Sequence, residues 1–217
     1  MSELAASSIS MLSARADGRE ELRRGRSIPA VARMFAPERD DLVLEHIGAA
    51  LGNLANHSAA RAAMKDAGLP CAIARLLRLQ HRPRAQVAAA VSLALLAAKD
   101  VEVQDSARYL GAVPYLVNMI AFGDTCSEVG RLAVLALRHQ NPVNEAEIVN
   151  ELRNSSEHIA AAHPRGCLAS SVRKHAQLMR LNRLLDDLED DMIGAAAVCR
   201  PHSASPTCYK SRCAGLT

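Results

Sequence analysis

The chain has 217 residues, 49% of them hydrophobic, with no Trp, 2 Phe and 3 Tyr. Sheet cores draw on β-branched and aromatic side chains, whereas Ala, Leu, Arg and Glu favour helix, so the composition reads as all-α. A formal net charge of +3 is too small to point to nucleic acid, and aromatic residues for base stacking are too few.

The opening "MSELAASSISMLSARADGREELRRGR" is rich in Ser, Ala and Arg but carries Glu3, Asp17, Glu20 and Glu21. Those acids argue against a transit peptide, and no basic region followed by an apolar one opens the chain. Six cysteines (Cys71, Cys126, Cys167, Cys199, Cys208, Cys213) are scattered without a disulfide framework. Together these point to an intracellular, reducing compartment, cytoplasmic first, with ciliary, cytoskeletal or organellar placement as alternatives. No apolar run reaches membrane-spanning length, so no membrane insertion is expected.

An interval of 42 residues then organises the chain. Leu51, Leu93 and Leu135 are 42 apart, and Ile9 lies 42 before Leu51. Leu12, Leu54 and Leu96 repeat the interval, and Arg138 breaks that column. Val31, Ile73 and Tyr115, then Phe35, Leu77 and Met119, follow the same spacing. Each unit carries a turn with Gly, an aliphatic residue and Pro: "RRGRSIPAVARMF", "DAGLPCAIARLL" and "LGAVPYLVNMI".

One unit reads as three helices. "HSAARAAMKDAG" is a short helix with Ser58 at its N-cap and Gly68 in the left-handed position that ends it. Pro70 restarts the chain in the first turn of "PCAIARLLRL", where its missing N–H costs nothing. Ile73, Leu76 and Leu77 form one apolar stripe. After the break at Pro83 a longer third helix, "RAQVAAAVSLALLAA", is apolar nearly all round and must be buried between neighbouring units.

Three helices, this period, the Gly–Pro joint and the "ALGNLA" that closes the long helix resemble the armadillo repeat family over residues 5 to 145. The resemblance implies a right-handed α-solenoid of about three to four units whose third helices line a concave binding groove. Importin α and β-catenin types hold extended peptides there with an Asn ladder, and importin α adds a Trp column. Mapped here, the Asn column falls on Met11, Asn53, Leu95 and Leu137, and the Trp column on Ser7, Ala49, Val91 and Ala133. One Asn and no Trp remain, which argues against an importin-like cargo receptor. The groove expected from Met11, Ala49, Asn53, Val91, Leu95, Ala133 and Leu137 is small and apolar, suited to an apolar helix face. Its occupant is either a partner or the chain's own C-terminal helix. Asn53 is read first as a bridge between neighbouring repeats.

Arg23, Arg24 and Arg26 on the first turn form a charged surface for an acidic partner or a kinase site at Ser27, weighed against a solvated turn. "NPVNEAEIVNEL" opens a fourth unit with Ile148, Val149 and Leu152 inward, and "RNSSEHIAAAHPRGCLASS" reads as a longer irregular connection. Leu178, Leu181, Leu185, Leu188 and Met192 then mark an amphipathic helix that is basic first and acidic last. Its acids, Asp187, Asp190 and Asp191 among them, oppose the helix dipole. They either meet a basic partner or lie in water over a capping helix. Cys199, His202, Cys208 and Cys213 lack the tight Cys pairs of a structural zinc site.

The expected organisation is a solenoid over 1–166, a capping or partner-binding helix over 167–195 and a flexible tail over 196–217. The expected function is a non-catalytic scaffold subunit that binds a helical or apolar segment of another protein. A soluble peptide-binding or transport-type adaptor is the alternative, followed by a small metal-binding accessory protein using the Cys/His tail. No catalytic residue, metal or cofactor is assigned. Because the array begins inside a unit, self-association through its N-terminal end is also expected.

Overall fold

A computed structural model describes residues 3–122, 127–138, 142–161 and 168–198 of the chain. The elements among them are all helices: α1 (Glu3–Ala14), α2 (Ala16–Arg24), α3 (Ile28–Arg33), α4 (Asp41–Leu54), α5 (Ser58–Asp66), α6 (Leu69–Leu77), α7 (Pro83–Ala97), α8 (Val101–Tyr109), α9 (Val113–Phe122), α10 (Ser127–Arg138), α11 (Pro142–Ala161) and α12 (Leu168–Val198). One contact-dense unit runs Met1–Leu185, and Asp186–Thr217 forms a second. The repeat array lies in the first, with α1, α4, α7 and α10 as its third helices.

The joints are built as local chemistry requires. Gly68 and Gly111 take φ of +81° and +71°, the left-handed region that a Cβ disfavours. Pro70 and Pro114 follow in the first turns of α6 and α9. In the first unit the left-handed residue is instead Arg26, at φ +51°, while Gly25 stays at φ −70°. Ser58 does not cap α5, because the helix starts on it. His57 holds the extended cap backbone, and its carbonyl accepts the first helical N–H, from Arg61.

Third helices form the spine: α1 packs on α4, α4 on α7, and α7 on α10. The second helix of each unit meets the first helix of the next, giving α3–α5, α6–α8 and α9–α11. Leu51, Leu54, Leu93 and Leu96 are buried in the spine. Close approach is set by small residues. A Cβ on Gly48 would lie 3.1 Å from Ser92 Oγ, and one on Gly52 would meet the Leu95 side chain.

A second repeated column ties the units together. Arg19 donates to the Ser13 and Ala14 carbonyls, Arg61 to Ala55, Gln104 to Ala97 and Ala136, and Asn144 to Leu137. Each donor sits on a first helix and bonds a carbonyl at the end of the preceding third helix, and Gln104 also reaches Ala136 in the third helix of its own unit. Ion pairs also join units: Arg82 Nη2–Asp41 Oδ1 at 2.5 Å, Arg84 Nε–Glu45 Oε1 at 2.6 Å, and Lys65 Nζ to Asp100 at 3.0 Å.

Two expectations change toward the C-terminal end. α11 runs unbroken from Pro142 to Ala161, so most of the expected irregular connection is helix. Nothing between Val143 and Ala162 is Gly or Pro, and Ile148, Val149 and Leu152 are buried as the pattern required. In α12, Leu181 and Leu184 are buried while Leu178 and Leu185 are half-buried, a seam turned slightly from the expected one. Lys174 Nζ donates to the Ala160 carbonyl at 2.7 Å, and Ser156 Oγ to Asn182 Oδ1 at 3.3 Å, placing the first part of α12 beside α11.

Candidate partner-binding face

The outward row of the third helices contains most of the expected groove residues. Met11 on α1 is 64% exposed and Leu95 on α7 is 44% exposed. Ala49 is exposed, and Val91 and Asn53 are half-buried.

Ala133 and Leu137 do not belong to it. Both are fully buried, which corrects their expected place in the groove. The reason is a one-residue change of register. Ser92, Leu93 and Leu96 of α7 are buried, and their counterparts in α10 are Ala133, Val134 and Leu137, 41 residues later rather than 42. Leu137 therefore completes the Leu54–Leu96 column that Arg138 interrupts in the 42-residue spacing. The outward places pass to Leu132, 55% exposed, and to half-buried Ala136.

Asn53 is tied to the neighbouring repeat in this arrangement. Its Nδ2 donates to Ser13 Oγ of α1 at 3.1 Å, and Ser13 Oγ in turn donates to the Ser10 carbonyl at 2.7 Å. The amide bridges two repeats. What remains outward is Met11, Ala49, Val91, Leu95, Leu132 and Ala136, a row of small and aliphatic side chains. Charges beside it are already paired: Arg84 with Glu45 across units and Arg131 with Glu128 within α10.

The expected basic surface is likewise offset. Arg23 Nη2 lies 2.6 Å and Arg24 Nε 2.9 Å from the same Glu20 oxygen. The Arg23 hydrogen bond is the first cause that holds the Glu20 carboxyl down to about 2. Ser27 Oγ donates to the Leu22 carbonyl at 2.8 Å. Arg26 is exposed, in its left-handed backbone. Asp187 is exposed. The side chains of Asp190 and Asp191 lie outside the described residues, as do Cys199, His202, Cys208 and Cys213.

Elsewhere, a hollow of about 500 Å³ is lined by Lys65, Pro70, Cys71, Glu102, Tyr109 and Leu110, among others. Cys71 is free and exposed there, and no histidine is among its described lining residues. Among the described residues no group of His, Cys, Asp or Glu is placed to hold a metal ion. None of their helices is long and apolar enough to cross a membrane.

Sequence reasoning missed Leu132, Ala136 and the Arg19, Arg61, Gln104, Asn144 column. Arg19 and Arg61 stand 42 apart, which was a usable signal. The later two members change residue type and spacing, which hid it.

No family model matches the chain, and no curated protein matches it in sequence. Its fold does match solved structures. A designed armadillo repeat protein is similar with a TM-score of 0.62 and 15% identity, over 82% of this chain and 75% of that one. A designed armadillo repeat protein in complex with the peptide (KR)4 is similar with a TM-score of 0.60 and 13% identity, over 94% and 85%. The armadillo-repeats-only protein of Plasmodium falciparum is similar with a TM-score of 0.57 and 13% identity, over 82% and 79%. The chain has an armadillo-like, all-α repeat fold.

Proposed function

We propose that this armadillo-like array is a non-catalytic interaction scaffold, a subunit of a larger intracellular assembly, whose third-helix row receives the apolar face of a partner helix. One observation carries the reading: the row presents Met11, Ala49, Leu95 and Leu132, with Val91 half-buried among them, while Nδ2 of its single Asn donates to Ser13. An extended peptide needs donors and acceptors for its backbone amides, which this row does not offer. An amphipathic helix satisfies its own backbone and asks only for apolar area. The peptide-bound designed relative supports protein or peptide partners as the general class.

Fluorescence anisotropy with two labelled peptides tests this. An amphipathic Leu/Ala/Lys helical peptide should bind with a Kd of about 1–50 μM, and Leu95→Glu should weaken it about tenfold. The extended (KR)4 peptide should bind at least about tenfold more weakly than the helical one. Equal affinity for both peptides, or helical-peptide binding indifferent to Leu95→Glu, would sink the reading in favour of an extended-peptide adaptor.

A further inference from the structure

The hollow of about 500 Å³ beside the α5–α6 joint lies where two successive first helices end. Asp66 is the last residue of α5 and Tyr109 the last of α8, and both line it. Gly68, Pro70, Cys71 and Leu110 give it apolar walls. A Cβ on Gly68 would meet no atom within 4 Å, so the space over the joint is open. Tyr109 is 87% exposed, which leaves its ring free for contact.

The charges around the hollow are matched except for one. Lys65 Nζ lies 2.5 Å from Glu102 and 3.0 Å from Asp100, and Arg61 Nε lies 3.7 Å from the same Asp100. Arg78, just outside the lining, donates to the Leu110 carbonyl at 2.9 Å and so sits on the negative end of α8. Of the charged lining residues this leaves Asp66, whose exposed carboxylate has no bonding partner among the described residues. An acid in the last turn of a helix opposes its dipole. The start of α6, two residues on, offsets the backbone charge at that end but not the carboxylate. A cation brought to Asp66 would relieve an arrangement that α5 alone holds at a cost.

We propose that this hollow receives an arginine side chain of a partner protein, its guanidinium between the Asp66 carboxylate and the Tyr109 ring and its stem along Pro70 and Leu110. The carboxylate supplies charge-assisted hydrogen bonds, and the ring face attracts a planar cation. An arginine stem covers apolar surface while its head stays at the wet rim, which matches walls that are apolar within and charged at one edge. An acidic side chain would meet repulsion from Asp66, and a purely apolar one would leave that carboxylate desolvated without a partner. None of these lining residues belongs to a third helix, so the contact is additional to the partner row.

Cys71 stands free in the same hollow and makes the test local. In the full chain with Cys126, Cys167, Cys199, Cys208 and Cys213 replaced by Ser, it is the one thiol left. Mass spectrometry then measures its equilibrium for mixed-disulfide formation with N-acetyl-cysteinyl-arginine amide, with the glutamine and glutamate analogues, and with cysteamine. The arginine probe should be favoured about fivefold over the glutamine probe and about tenfold over the glutamate probe. Asp66→Asn should bring the arginine advantage below about twofold, and Tyr109→Ala should reduce it about twofold. Both side chains are exposed, so circular dichroism should show unchanged helicity. No arginine advantage, an advantage that survives either substitution, or a preference for the glutamate probe would each overturn the proposal. Cysteamine gaining as much as arginine would also overturn it, because a bare ammonium lacks the stem and would assign the site to small cations. Leu95→Glu should leave every ratio unchanged, so failure here and failure of the partner row are read separately.

Discussion

α1 and α7 are two copies of one helix in the repeat, with Ser92 and Leu96 standing 84 residues after Ser8 and Leu12. α7 lies between α4 and α10 and buries both long faces, whereas α1 buries only the face toward α4. The joints within successive units differ as well. The joint between α5 and α6 turns on Gly68 at φ +81°, while the joint between α2 and α3 turns on Arg26 at φ +51°. Arg82 and Lys65 reach other units for their partners, whereas Arg23 and Arg24 reach only to Glu20 on their own helix. In a solenoid, stability is roughly a sum of unit and interface terms. By that count α7 has two spine interfaces and α1 one, while the unit of α2, α3 and α4 carries a strained turn at Arg26.

The Leu column gives the largest expected contrast. Leu96→Ala should destabilise the chain by about 3 kcal/mol in urea unfolding, through lost burial and a cavity. Leu12→Ala, in dilute protein, should cost about 0.5 kcal/mol or less. Comparable losses at the two sites would mean that α1 is as covered as α7.

Next comes the α1–α2 corner. A Cβ on Gly18 would lie 2.1 Å from the Leu12 carbonyl oxygen, which is backbone and cannot step aside. Gly18→Ala should therefore cost about 2 kcal/mol and loosen α1 first, visible as faster amide exchange in α1 than in α7.

The joints allow a reciprocal experiment. A Cβ on Gly68 meets no atom within 4 Å, so Gly68→Ala should cost only its left-handed backbone, about 1 kcal/mol. Arg26→Gly should return a similar amount, about 1 kcal/mol, raising Tm by a few degrees. A fall in Tm for Arg26→Gly would show that the Arg26 side chain contributes more than its backbone strain.

The smallest effect is electrostatic. Lys65 is raised above its usual 10.5, first by the hydrogen bond to Glu102, with Asp100 adding to it. A raised folded value means that this stabilisation is present below 10.5 and is lost as pH climbs through the folded value. Both partners are partly in solvent, so the loss should be about 0.3–0.5 kcal/mol, and Lys65→Met should abolish that alkaline increment.

Much of this was legible because armadillo punctuation is local. Gly68, Pro70, Pro83 and the 42-residue Leu columns announce helix ends and buried faces through backbone preference and periodicity alone. The outward row was legible through α7 and failed at α10, where one residue fewer turns every side chain by about 100°. Arg138 flagged the fault in the column, but only burial showed that Leu137 had moved inward and Leu132 outward.

One further feature was decided by packing between units. Whether Asn53 met a ligand or a neighbour depended on Ser13, 40 residues away, lying within hydrogen-bond reach once α1 stacked on α4. Local chemistry specifies where helices start, stop and turn an apolar side, because those preferences act within one or two turns. Which apolar side is covered and which amides are consumed depends on contacts some 40 residues apart, and only the assembled spine sets those.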